Sequence, residues 1–231
     1  MPKRWEQLPD YMRTEEVRPY WDSLCKKRGQ LIAKRIFDIV VALILLVLLA
    51  LPMLVMAIMI VADSEGPVFY RQERVTTNGK VFRIHKFRTM VSNADKIGTA
   101  VTVDADPRIT KVGAMLRHLR LDEFPQLIDI LKGDMSFVGT RPEAVKYVRK
   151  YQPEYYATLL LPAGVTSEAS ILYKDEDKLL SQAEDADAVY INSVLPEKMK
   201  YNLKSLREYS FGKDIATMFR TVGAVFGKDG E

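Results

Sequence analysis

The stretch Ile39–Ala62 (IVVALILLVLLALPMLVMAIMIVA) carries no charge over 24 residues, and it restricts the possible folds more than any other feature. At about 1.5 Å per residue, a helix of this length can cross a hydrocarbon core of roughly 30 Å. A cleaved signal peptide is a poor match. The run starts late, exceeds the length of an h-region and has no small-residue cleavage site after it. Basic residues flank both ends: Lys26, Lys27, Arg28, Lys34 and Arg35 before it, and Arg71, Arg74, Lys80, Arg83, Lys86 and Arg88 after it. The positive-inside rule draws both flanks to the cytoplasmic side, which one straight span does not allow. Pro52, near the middle, removes a helical N–H and crowds the preceding turn. A re-entrant membrane helix broken at Pro52 satisfies both flanks. A Pro-kinked transmembrane helix is the alternative.

The rest of the chain has a globular composition. Of 231 residues, 48% are apolar and 28% charged, which suffices for a packed core. A net charge of +4 suits anionic partners such as phosphates or lipid headgroups. No nucleic-acid partner is expected. Cys25 is the single cysteine, which excludes an intramolecular disulfide and a cysteine metal cluster. With His85 and His118 as the only histidines, a two-histidine zinc site and a Ser-His-Asp triad have few candidates. In the first thirty residues Trp5, Tyr11, Tyr20 and Trp21 can either line a membrane interface or pack on the domain.

Asn78-Gly79, between alternating apolar runs, predicts a hairpin with strands near Val68–Arg74 and Lys80–Phe87. Its polar face would be cationic through Arg71, Arg83 and Arg88. That face is either a solvated edge or a phosphate-facing surface. A polar loop follows, Ser92–Asp106, with the DxD triplet Asp104-Ala105-Asp106, a weak pattern for a divalent cation on a nucleotide-sugar. A second triplet, Asp185-Ala186-Asp187, belongs to an acidic run with Asp175, Glu176, Asp177 and Glu184 that reads as a solvated helix face. Arg108–Arg120 reads as an amphipathic helix with Ile109, Val112, Leu116 and Leu119 on one side. Asp122 can then N-cap a helix Glu123–Lys132 that Gly133 ends. Capping explains one acid of the Asp122-Glu123 pair but does not require Arg117. Thr140 and Glu143 fit a capping box, with Arg141 inside that first turn. Two helix starts, two arginines and an acidic pair also fit a phosphate site. Phe211, Ile215, Met218, Phe219, Val222, Val225 and Phe226 recur at helical spacing, for core packing or for a membrane interface.

The segments KRIFDIVVALILL…P, GPVFYRQERVTTNGKVFRIHKFRTM, LRLDEFPQLIDILKGDMSFVGTRPE and LPAGVTSEAS occur in an order that resembles the bacterial sugar transferases. These are monotopic phosphoglycosyl transferases, which start glycan assembly on a polyprenyl phosphate. The resemblance covers roughly Lys34 to Lys174. It implies transfer of a sugar-1-phosphate from a nucleotide diphosphate-sugar to polyprenyl phosphate through an aspartyl intermediate. It further implies Asp122 as nucleophile, Glu123 as its partner, Arg117 and Arg141 as phosphate ligands, and Mg²⁺ at the Asp-Glu pair. Pro52 matches the family's helix break, although Leu51 replaces the serine that often precedes it. Thr140 stands where relatives often carry proline. Ser167-Glu168-Ala169-Ser170 replaces a common Gly-Trp-Ala-Gln, which leaves the sugar and nucleotide contacts open. The expected architecture is α+β and mainly helical, at the cytoplasmic face of the bacterial inner membrane in contact with its lipid. It divides into an N-terminal extension (1–30), a re-entrant membrane helix (31–66) and a cytosolic catalytic domain with a small hairpin (67–231). Self-association as a homo-oligomer stays open. Two rivals remain: a metal-dependent glycosyltransferase using Asp104 and Asp106, and a membrane-anchored scaffold in which Asp122 only caps.

Overall fold

The computed structural model describes residues 2–94, 106–173 and 185–226. In chain order the regular elements are α1 (Arg18–Lys26), α2 (Arg28–Asp63), β1 (Phe69–Val75), β2 (Val81–Phe87), α3 (Lys111–His118), α4 (Gln126–Lys132), β3 (Met135–Val138), α5 (Val145–Val148), β4 (Ala163–Thr166), α6 (Glu168–Leu172), α7 (Ala186–Val189), α8 (Leu195–Arg207) and α9 (Phe211–Phe226). The fold is mainly helical α+β, with two two-stranded sheets among the described residues.

Helix α2 contains the whole uncharged run and is continuous over 36 residues, about 54 Å. The break expected at Pro52 is therefore not a break in helical structure. Pro52 lies inside the helix, where its missing N–H leaves one bond of the ladder unmade. One face of α2 rests on the rest of the protein along its length, through Leu31, Lys34, Asp38, Ala42, Met56 and Ile60. The other face exposes Ile32, Ile36, Val40, Leu43, Ile44, Val47, Leu48, Leu51, Leu54, Val55, Ile58 and Val61. These positions recur every three or four residues and form one apolar stripe.

Charged side chains fasten both ends of α2. Near the start, the buried Lys34 ammonium donates to the Val138 carbonyl at 2.8 Å and to Asp214 at 2.7 Å. Arg35 donates to the Ile130 and Leu131 carbonyls at 2.6 and 2.9 Å, covering the C-terminal end of α4. At the far end, Arg88 donates to the carbonyls of Ile60, Ser64 and Glu65 at 3.2, 2.6 and 2.5 Å. Arg88 is thus buried as a cap of α2 rather than displayed on the hairpin's cationic face, because the last carbonyls of a helix need donors. Gly66 makes room for it: its φ is +127°, and a Cβ there would strike the Arg88 guanidinium.

The hairpin forms as expected, shifted by one residue. β1 and β2 pair antiparallel from Phe69↔Phe87 to Val75↔Val81. Asn78 and Gly79 take left-handed φ values of 56° and 74° in a connection that spans 76–80. The second sheet was not expected. Its strands β3 and β4 are parallel and four residues each, and Gly139, just past β3, passes so close to Gly164 in β4 that a Cβ on either would meet the other's backbone.

The largest cluster joins the N-terminal segment to the C-terminal helices. Leu8, Met12, Val17, Tyr20 and Leu24 pack with Tyr151, Leu160, Leu195 and Met199. Trp5 and Trp21 meet edge to face, and Arg18 lies over both rings at 4.7 and 5.0 Å. Of the two roles open to these aromatic residues, packing on the domain is the one Tyr20 fulfils. Helix α9 is anchored by Phe211 against Phe37 and by Asp214 on Lys34, with Ile215 and Met218 half-buried and Phe219 and Val222 exposed. The side chains of Val225 and Phe226 lie outside the described residues.

Candidate active site

Thr110 accepts from the Gly113 amide and starts α3, so the helix is shorter than the expected Arg108–Arg120. It ends because Arg120 adopts a left-handed conformation, φ 55° and ψ 22°, at a cost of order 1 kcal/mol for a residue with a side chain. The chain then forms one 3₁₀ turn, Leu121–Glu123, before Pro125 leads into α4. Leu121 and Phe124 fasten this turn to a cluster of Met56, Ile60, Phe87 and Leu116. Asp122 is not an N-cap. It lies inside the turn, and α4 starts at Gln126 behind Pro125, with no side-chain cap. Gly133 does end α4 in the left-handed region, φ 84°.

The two carboxylates are nearly enclosed, with side-chain exposures of 13% for Asp122 and 12% for Glu123. Lys86 Nζ, on β2, donates to Glu123 Oε1 at 2.7 Å and stands 4.0 Å from Asp122 Oδ2. Arg141 donates to the same Glu123 oxygen at 2.7 Å. The environments of the neighbours therefore diverge. Burial raises the pKa of Asp122 above the usual carboxylate value; the Glu123 charge adds to this, and Lys86, Arg117 and Arg120 oppose it. Burial works against ionised Glu123 too, but Arg141 and Lys86 outweigh it and hold that carboxyl well below the ordinary range. Arg117, on the last turn of α3, is near enough for its charge to bear on both Asp122 and Asp106. Asp122, Glu123, Arg117 and Arg141 are thus brought into one neighbourhood.

Lys86 was missed. Its signal was present in the strand alternation, since Phe82 and Ile84 on its face of β2 are core residues. A lysine third in that series is a cation on an otherwise apolar stripe. Arg141 was foreseen, but not its setting. Residues 139–144 form an irregular segment, α5 starts at Val145, and neither Thr140 nor Glu143 caps it. Glu143 is buried instead, accepting from the Tyr190 hydroxyl at 2.6 Å with the Lys198 ammonium 3.7 Å away.

Of the acids in the two DxD triplets, those among the described residues are engaged otherwise. Asp104 lies outside the described residues, and Asp106 is buried in a two-pronged pairing with Arg108 at 2.9 and 2.6 Å. Asp185 N-caps α7, and Asp187 accepts from Lys146 and Tyr147. Asp175, Glu176, Asp177 and Glu184 lie outside the described residues. Among the described residues no three His, Cys, Asp or Glu side chains converge as a metal cage. The Asp122-Glu123 pair suits Mg²⁺ in another way, because that ion is commonly held by one or two carboxylates together with substrate phosphates.

Residues 29–228 match the bacterial sugar transferase family. Among curated proteins, the chain is 33% identical over 195 residues to the UDP-N-acetylgalactosamine-undecaprenyl-phosphate N-acetylgalactosaminephosphotransferase of Aeromonas hydrophila, covering 83% of this chain and 43% of that protein. It is 35% identical over 211 residues to the UDP-glucose:undecaprenyl-phosphate glucose-1-phosphate transferase of Escherichia coli K12, covering 89% of this chain and 42% of the relative. A protein from Bacillus subtilis named as a putative undecaprenyl-phosphate N-acetylgalactosaminyl 1-phosphate transferase is 45% identical over 133 residues, 57% of this chain and 74% of its own length. The chain spans less than half the length of the first two.

Proposed function

Because the chain belongs to the bacterial sugar transferase family, we propose that it transfers a sugar-1-phosphate from a UDP-sugar to undecaprenyl or another polyprenyl phosphate, with Asp122 as the nucleophile. The observation that carries this reading is the asymmetry of the acidic pair. Glu123 is neutralised by two cations at 2.7 Å, whereas Asp122 caps neither neighbouring helix and is held among positive charges at a left-handed turn.

In the first step an Asp122 carboxylate oxygen attacks the phosphorus that bears the sugar. The bond from that phosphorus to the bridging oxygen breaks, and the nucleoside monophosphate leaves with the electron pair. In the second step a polyprenyl phosphate oxygen attacks the same phosphorus, the aspartyl bond breaks and the Asp122 carboxylate is restored. A carboxylate nucleophile splits one displacement into two and requires no base at neutral pH. Its obstacle is repulsion from the phosphate, and Arg117, Arg141 and Lys86 provide the opposing charge. Mg²⁺, held by Asp122 and Glu123, would supply further charge neutralisation at the donor phosphates.

The lipid acceptor fits the exposed stripe of α2. One globular body holds both ends of that helix, through Lys34 near the start and through Arg88 and Asp63 at the end. This supports a helix embedded from one face of the inner membrane, with the catalytic domain on the cytoplasmic side. In a Cys25→Ser background, cysteines at exposed Lys26 and Glu73 are expected to react alike with an impermeant thiol reagent added to intact cells, both staying protected. Labelling of one and protection of the other would mean a true span.

The chemistry is tested without lipid acceptor. Given Mg²⁺ and a panel of UDP-sugars, the protein is expected to release UMP and to gain the mass of a sugar-phosphate on the peptide containing Asp122. Release of UDP would defeat the mechanism.

A further inference from the structure

Lys86 is held from two directions, and one of them lies outside the substrate site. On the far side of the strand ladder, Asp129 of α4 is buried at 1% side-chain exposure. Its Oδ2 accepts from the main-chain N–H of His85 at 2.8 Å, and its Oδ1 meets His85 Nδ1 at 2.6 Å. That main-chain N–H points away from β1, toward the open edge of a two-stranded sheet. Asp129 therefore occupies the place of a missing neighbouring strand and takes hold of the side chain as well. The imidazole is packed edge-on against Phe69, which keeps the ring turned toward the carboxylate.

The position of this bond matters more than its existence. His85 immediately precedes Lys86, and Asp129 follows Glu123 by six residues along the segment that enters and forms α4. The same two stretches of chain are thus joined twice, Asp129 to His85 and Glu123 to Lys86. The first bond fixes the strand edge at the residue before the lysine. A lysine side chain has four rotatable carbons, and its ammonium reaches 2.7 Å from Glu123 only if its main chain is well placed. We propose that Asp129, acting through His85, is a positioning residue that sets the Lys86 ammonium against the Asp122-Glu123 pair. This rests on the reading of that pair as a phosphoryl-transfer site.

The test uses the full chain in lipid nanodiscs, with UMP release from UDP-N-acetylgalactosamine and UDP-glucose as one readout. Asp129→Asn keeps the shape and one acceptor, and His85→Phe keeps the main-chain bond. Asp129→Asn is expected to lower kcat about 10- to 100-fold with the donor KM changed less than about threefold, the scale of a misplaced catalytic group, and His85→Phe, which loses only the side-chain bond, is expected to cost less. In a Lys86→Met background the same substitutions are expected to add less than about twofold, since residues acting through one group do not multiply. Multiplying losses, or wild-type turnover in Asp129→Asn or Lys86→Met, would overturn the proposal.

A second readout does not depend on catalysis. The amine of Lys86 is expected to react faster with an acylating reagent in Asp129→Asn, at unchanged rates for buried Lys34 and Lys198 and exposed Lys80. An unchanged Lys86 rate, or a rise at Lys34 and Lys198 as well, would reduce Asp129 to a packing role. If wild type releases UDP, or Asp122→Asn stays active, the phosphoryl-transfer reading fails, while the acylation result still decides whether Asp129 holds Lys86.

Discussion

The hairpin brings Lys86 and the 139–144 segment brings Arg141 to the same oxygen of Glu123, each at 2.7 Å, by different constructions. The hairpin is a regular ladder of seven residue pairs, and its cation follows from strand alternation. The 139–144 segment has no ladder of its own. It is held by single main-chain bonds, Gly139 N–H to Thr166, Gly164 N–H to Thr140 and Val75 N–H to Glu143, and by the buried carboxylate of Glu143. One arm is specified by periodicity and the other by a polar network whose members are far apart in sequence. Damage to the first should spread through a sheet, and damage to the second should depend on a few bonds.

The deepest loss should come from Asp122, the neighbour of the carboxylate on which both arms converge. Asp122→Asn is expected to fold, to bind membrane and to lose transfer by ~10⁴-fold or more, the scale of a removed nucleophile. Measurable turnover in that variant would make the arms' convergence a structural matter only. Next come the arginines. Arg141→Ala and Arg117→Ala are each expected to reduce turnover ~10²–10³-fold with circular dichroism unchanged, as for a lost donor aimed at developing charge. Near-wild-type turnover in either would remove it from the phosphate site.

The comparison is sharpened by a residue that never meets substrate. Glu143→Ala removes the buried carboxylate that accepts from the Tyr190 hydroxyl and lies 3.7 Å from the Lys198 ammonium, and breaking such a buried pair costs about 3–5 kcal/mol. Chemical denaturation in micelles should register this, along with a loss of Arg141-dependent activity; an unchanged midpoint would show the segment to be held by main-chain bonds alone. The smallest effect lies further out on the same arm. Asp187 has a lowered pKa because Lys146 and then Tyr147 donate to it. A lowered carboxylate contributes stability above its unfolded value, about 3.9, and that contribution is lost as pH falls through the folded-state value. Asp187→Asn should therefore flatten the acid side of the stability curve by under about 1 kcal/mol, since the pair is half-exposed and screened. UMP release should stay within about twofold at neutral pH, a limit set by how little such surface pairs contribute.

What could be read in the sequence follows the same division. The apolar helix was legible because its composition alone demands lipid or burial. The hairpin was legible because Asn78-Gly79 is a local signal for left-handed backbone. Asp122, Glu123, Arg117 and Arg141 are legible through a resemblance in long motifs. Local spacing misleads at Asp122 and at Glu143. Asp122 has the spacing of an N-cap, one of its two possible roles, but the left-handed Arg120 and Pro125 delay α4 to Gln126. Glu143 was read as half of a capping box, but its partners, Tyr190 and Lys198, are about fifty residues away and leave no periodic trace. The parallel strands β3 and β4 are too short to show an alternation at all.

The stripe from Ile32 to Val61 has a thermodynamic meaning of its own. Twelve large apolar side chains of α2 face outward on one stripe, Leu51 at 70% exposure and Val47 at 77%, while Lys34, Arg35 and Arg88 hold the opposite face along the domain. The bilayer then behaves as a ligand with strong preference for the native chain, and its presence shifts the unfolding equilibrium by mass action. Apparent stability becomes a property of the amphiphile as much as of the sequence. A melting point measured in one detergent should not transfer to another, and it should keep rising with the logarithm of lipid content after membrane binding is complete.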